Sequence, residues 1–93
     1  MLIRFKSFGP LRRLLTTSEL TLEMPEDATV NDVIHTIIES SGSDARQLLY
    51  DSGKFSGNFI VLVNKTDVDR LDGLNTRLSP GDQVIVLPHV QGG

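Results

Sequence analysis

Apolar and polar residues alternate with a period of two near both ends of the chain, and recur with a helical period in its first half. In MLIRFK, Met1, Ile3 and Phe5 share one face while Leu2, Arg4 and Lys6 share the other, the pattern of a half-buried strand. ELTLEM repeats the alternation through Leu20, Leu22 and Met24 until Pro25 stops it, and two strands this close in sequence predict a hairpin. Between them, Gly9-Pro10 breaks the first strand, and PLRRLL has room for one helical turn or a loop. In TVNDVIHTIIES the period changes. Val30, Val33, Ile34, Ile37 and Ile38 fall at i, i+3, i+4, i+7 and i+8, a single apolar stripe on a helix. Thr29 is placed to cap its N-terminus, and Asp32 to return a bond to the cap's own N–H. Asp27 and Asp32 also set negative charge at the positive end of the helix dipole. Ser40, Ser41 and Gly42 end the helix.

The second half is more broken. SDARQLLY predicts a shorter helix capped by Ser43, and DSGKFSGN predicts a loose connection. FIVLVN, residues 59–64, reads as a strand, Asn64-Lys65 as a turn and VDRL as a short return strand. Ser79-Pro80-Gly81-Asp82 is a strong turn signal, because proline presets the second position and glycine supplies a positive φ at the third. QVIVL forms the last strand. One major helix among strands predicts an α+β fold, with a sheet of about four to five strands packed on it from one side. The expected body spans residues 1–88, with residues 89–93 as a tail.

The strands carry more apolar residues than one helix can cover. In the last strand Val84 and Val86 face one way, and Ile85 and Leu87 the other; in FIVLV, Phe59, Val61 and Val63 oppose Ile60 and Leu62. Strands of this kind are expected where both faces are covered. Either the short helix and loops complete the cover, or the second face is a docking surface of a few hundred Å², which Phe8 would join from beside the first strand.

Composition narrows the function. Ninety-three residues, 39% hydrophobic and 23% charged, suit one globular domain. The net charge of -3 is uneven: residues 1–13 hold Arg4, Lys6, Arg12 and Arg13 without an acid, whereas residues 14–51 hold eight acids against Arg46. That acidic middle argues against a nucleic-acid partner, which requires a dominant basic face. Without cysteine the chain has no disulfide, thiolate metal site or thiol nucleophile, which fits a cytoplasmic location. The N-terminus has no apolar run long enough for a signal peptide or a membrane span, so no membrane partner is expected.

Side-chain chemistry is sparse. His35 sits opposite the apolar stripe and is expected to face solvent, and His89 lies in the tail. No Gly-x-Ser-x-Gly elbow occurs, and two distant histidines among scattered acids do not make a metal site. The expectation is a non-enzyme with no bound cofactor and no metal. The distinctive group is the carboxylate of Gly93. Gly92 and Gly93 lack a Cβ, so their backbone can pass through a slot that excludes other residues. The carboxylate is then open to attack on ATP, forming an acyl-adenylate from which a sulfur donor or an amine displaces AMP.

On IRFKSFGPLRRL, ATVNDVIHTII, FIVLVNKTDV, LNTRLSPGDQVIVLPHV and the final Gly-Gly, the chain resembles the ubiquitin-like sulfur carriers, above all the MoaD-like small subunit of molybdopterin synthase. The resemblance implies a β-grasp fold, a mixed sheet curled around one helix. It implies that a ubiquitin-activating-like adenylyltransferase consumes ATP to adenylate Gly93, which becomes a thiocarboxylate. It further implies that Val90 and Gln91 form a stem threaded into the large subunit of molybdopterin synthase or another sulfur acceptor, and that Phe8 and Leu87 dock the partner; Ile85, on the same face of the last strand as Leu87, is expected to join them. Two departures are visible: Pro88-His89 stands where many such tails carry two prolines, and the stretch from Glu39 to Asn58 is longer than in the shortest carriers. Both leave room for archaeal small modifiers, which share the fold and tail and can also be joined to lysines of target proteins; a tRNA-thiolation carrier is a further alternative. Thiazole-pathway carriers, usually shorter, rank third, after the MoaD-like subunit and the archaeal modifiers, and a β-grasp binding module with an inert tail is the remaining class.

Overall fold

The structure, a computed structural model, describes residues 1–89. Strand β1 (Leu2–Ser7) leads through helix α1 (Pro10–Leu15) into β2 (Glu19–Glu23), and these strands pair antiparallel, with Ile3 opposite Leu22 and Phe5 opposite Leu20. Helix α2 (Val30–Ser41) follows, then α3 (Ser43–Leu49), the two-residue strands β3 (Tyr50–Asp51) and β4 (Lys54–Phe55), β5 (Phe59–Val63), β6 (Thr66–Asp67), two 3₁₀ turns (Val68–Arg70 and Gly73–Asn75) and β7 (Gln83–Pro88). The main sheet has five strands in the order β2-β1-β7-β5-β6. Only β1 and β7 run parallel, so the sheet is mixed.

The stripe on α2 is the centre of the core. Val30, Val33, Ile34, Ile37 and Ile38 are all buried, against Ile3 and Phe5 of β1, Val84 and Val86 of β7, and Val61 and Val63 of β5. Leu11 from α1 and Ala45 and Leu49 from α3 join the same cluster. The capping box forms as the residue types predict: the Thr29 N–H donates to Asp32 Oδ2 at 2.9 Å, and the Asp32 N–H donates to Thr29 Oγ1 at 3.3 Å. Thr29→Ala is expected to cost about 1 kcal/mol, lowering Tm by roughly 4–8 °C in a domain of this size; a thermal melt followed by circular dichroism reads it.

Of the two readings of PLRRLL the helical one holds, with Pro10 at the first turn, where its missing N–H has no intrahelical partner to lose. Three local expectations change. Helix α3 is not capped by Ser43, which is already inside it; Gly42, at φ 84°, ends α2 and begins α3, and no side chain caps the second helix. DSGKFSGN is not wholly loose, because Ser52 (φ 53°) and Gly53 (φ 82°) take up the left-handed pair that closes a tight hairpin between β3 and β4. VDRL is not a strand. The return pairing occurs one step earlier, at Thr66 and Asp67, and the Asp67 carboxylate then accepts the Asp69 N–H at 2.8 Å and turns the chain into a 3₁₀ helix.

Two turns are tied together. The Asn64 amide donates to Asp82 Oδ1 at 2.7 Å, and its oxygen accepts the Gln83 N–H at 2.9 Å. The other oxygen of Asp82 accepts the Ser79 N–H at 2.8 Å, inside the turn whose Gly81 has φ 85°. The β5–β6 turn therefore holds the entry to β7, the strand that carries the chain to its C-terminal end.

Candidate functional site

All three helices contribute to one core on one side of the sheet, and the opposite side keeps its apolar residues without entering that core. Strand register shows how they assemble. Lys6 lies beside Ile85, Ile85 opposite Leu62, and Leu87 opposite Ile60. The Phe8 N–H donates to the Val86 carbonyl at 3.1 Å, which brings Phe8 alongside the same strand. Phe8 is 38% exposed, and Ile60, Leu62, Ile85 and Leu87 are half-buried. The Lys6 ammonium stands 5.3 Å from the centre of the Phe8 ring, an attraction between cation and π-face that orients the ring.

Phe8, Ile85 and Leu87 thus share one face. The alternation in β7 places them there, since Val84 and Val86 are fully buried between them. Sequence reasoning did not assign Ile60 and Leu62 to this surface as docking residues. Their alternation with Phe59, Val61 and Val63 was visible, but only the register of β5 against β7 shows which partners they meet. The patch grades into charge toward β2, where Lys6 opposes Glu19 and Arg4 opposes Thr21.

The patch borders the point where the chain leaves the sheet. Pro88 closes β7 opposite Phe59, and the His89 N–H donates to the Asn58 carbonyl at 2.7 Å. On the other side Gly9, at φ 67°, lies so close that a Cβ there would meet Pro88 Cγ at 3.0 Å. The stem and reactive-end residues Val90, Gln91, Gly92 and Gly93 lie outside the described residues.

The histidines are not brought together. His35 is half-buried rather than solvent-facing, because Tyr50 at the start of β3 folds over it, with its hydroxyl 3.5 Å from Nε2 and ring centroids 6.1 Å apart. His89 is exposed at the end of β7. Among the described residues, no three His, Asp or Glu side chains cluster as metal ligands, and no helix is long and apolar enough to cross a membrane.

Comparison with known proteins agrees with this geometry. The model of the ThiS family matches residues 6–93. Small archaeal modifier protein 3 of Haloferax volcanii is 32% identical over 93 residues, covering 100% of both chains. An Archaeoglobus fulgidus protein described provisionally as a sulfur carrier is 34% identical over 68 residues, 73% of this chain and 77% of that one. The solution structure of small archaeal modifier protein 1 from Methanosarcina acetivorans superposes with a TM-score of 0.84 at 27% identity, covering 99% of this chain and 96% of that one. The five-stranded mixed sheet on its main helix is the ubiquitin-like β-grasp fold. The chain belongs to the ThiS family, within the superfamily of non-catalytic ubiquitin-like sulfur carriers and modifiers.

Proposed function

We propose that this protein is a ubiquitin-like modifier and sulfur carrier whose working group is the carboxylate of Gly93, activated in trans. The observation that carries this reading is the end-to-end match to an archaeal small modifier, with no gap in coverage of either chain. In the proposed sequence the Gly93 carboxylate attacks the α-phosphorus of ATP on an adenylyltransferase of the ubiquitin-activating type, and pyrophosphate leaves. A sulfur donor then displaces AMP to give the thiocarboxylate, or a lysine amine of a target protein takes the acyl group as an isopeptide. The carrier supplies no acid or base. Its side chains dock the enzyme through Phe8, Ile85 and Leu87, with Ile60 and Leu62 beside them, while Val90 and Gln91 carry the glycines into the active site. Delivery of the sulfur to a pterin precursor, in the manner of a molybdopterin synthase small subunit, is the narrower destination of the same chemistry.

The test is intact mass of the full chain after incubation with its activating enzyme, ATP and a sulfur donor. A gain equal to one oxygen-to-sulfur exchange at Gly93 supports activation, and an unchanged mass with a demonstrably active enzyme refutes it. Conjugation is read separately, in tryptic digests of cell protein. No Lys or Arg follows Arg77, so a modified lysine would carry the peptide from Leu78 to Gly93. Leu87→Ser should lower the efficiency of activation about tenfold through KM, because interface energy concentrates in a few residues near the centre of the buried patch. Its half-buried position outside the core predicts a melting temperature close to that of the parent.

A further inference from the structure

Strand β5 has two edges, and among the described residues only one is paired along its length. Strand β7 pairs with it from Phe59 to Val63. On the other side β6 pairs with Leu62 and Val63 alone, before the chain turns into the 3₁₀ helix at Val68. Two hydrogen bonds set the direction of the remaining backbone groups. The Asn58 carbonyl accepts from His89, and the Asn64 N–H donates to the Gln83 carbonyl at 2.9 Å. Backbone groups alternate along an antiparallel pair, so the even-numbered residues from Asn58 to Asn64 address β7. Phe59 therefore directs both its N–H and its carbonyl, and Val61 its N–H, toward the second edge, while the Leu62–Asp67 pairing turns the Val61 carbonyl to the Val68 N–H.

That edge opens into a cleft of about 510 Å³. Phe55 and Leu74 give it apolar walls, Asp67 (one oxygen of which accepts the Asp69 N–H) and Asp69 give it negative charge, and His89 also lines it, whereas no lysine or arginine does. Gly57, also on its lining, has a φ outside the left-handed region, and a Cβ added there meets nothing within 4 Å.

We propose that the Phe59–Val61 edge is a strand-addition site for an extended segment of a partner protein that carries basic side chains at alternate positions. Unpaired strand edges are templates for a further strand, with main-chain hydrogen bonds giving affinity and alternate side chains giving specificity. Three edge residues offer roughly 10 Å of ladder. Phe55 and Leu74 receive the apolar side chains of the added strand, and the carboxylates of Asp67 and Asp69 receive the cations between them. The site adjoins the docking face of the sheet at Ile60, which lines the cleft, and does not depend on the chemistry of Gly93.

The probe is an acetylated, amidated hexapeptide of alternating arginine and valine, titrated into the ¹⁵N-labelled full chain. Expected are amide shifts centred on Gly57, Phe59 and Val61, and exchange of the Phe59 amide slowed at least about tenfold at saturation. Glutamate in place of arginine, or N-methylation of alternate peptide bonds, should each weaken binding at least about tenfold. Gly57→Leu should block it by filling the cleft, and Asp69→Asn should weaken it should the first variant fail to fold. Equal binding of the N-methylated peptide, shifts confined to the β2 edge, or no shift up to millimolar peptide would overturn the proposal. So would a Phe59 amide already protected in the free chain and exposed by truncation after His89, which would make the tail the occupant, or by dilution, which would make it a second copy. Activation of Gly93, measured by mass in the same preparations, reports on the proposed function independently.

Discussion

Deletion of Gly93 should abolish thiocarboxylate formation and conjugation while leaving the fold intact. The described body ends with β7 at Pro88 and the His89–Asn58 bond, and four residues lie beyond it. Those four reach at most about 14 Å from that anchor at full extension. Removing one withdraws the carboxylate by about 3.5 Å, where misplacement of a reacting group by only 1 Å can cost about 100-fold. Gly92→Val should act by the other route, since under the proposed function its branched side chain would meet the walls of a slot sized for two glycines. In both variants the mass change after activation should fall at least about 100-fold in rate, with a thermal melt matching the parent. A truncated chain that is still adenylated at normal rate would show that Gly93 is not the reacting residue.

Phe5→Ala should be the most damaging single truncation in the body. Phe5 is 1% exposed in the middle of β1, opposite Leu20 of β2 and beside Val84 of β7. Removing a buried phenylalanine side chain costs about 3–5 kcal/mol, because the lost transfer energy adds to that of the cavity left behind. Domains of this size hold about 5–15 kcal/mol in total, so Tm should fall by tens of degrees. Leu2→Ala in the same strand is the control. Leu2 points to the opposite face and is 56% exposed, so its truncation should change stability by no more than about 0.5 kcal/mol. Urea unfolding of the two variants side by side separates the faces of the sheet. Comparable losses in both would mean that β1 does not bury the face assigned to it.

The contrast between Phe5 and Leu2 marks what local pattern can convey. A period of two or of 3.6 states which residues lie together on an element, and in α2 it also identified the buried stripe and its capping box, because both depend on residues within a few positions of one another. His35 shows the limit. Helical geometry set it opposite the stripe, but its cover comes from Tyr50, fifteen residues on, whose position depends on how α3 and the β3–β4 hairpin fold back. The β3–β4 hairpin itself was hidden because Ser52-Gly53 closes strands of only two residues, too short to show alternation.

The sequence by itself determined the α+β class, the core stripe, the poverty of side-chain chemistry and the resemblance that directs attention to Gly93. These follow from composition, short-range period and the identity of terminal residues. Only the tertiary structure decided that Ile60 and Leu62 complete the surface begun by Phe8, Ile85 and Leu87, and that β6 stops short, so that among the described residues the Phe59 end of β5 has no strand on its second edge. Both depend on register between strands distant in the chain. Register is fixed by burying one face of every strand at once, with turns such as Asn64-Lys65 and the Asn64–Asp82 bond locking the result.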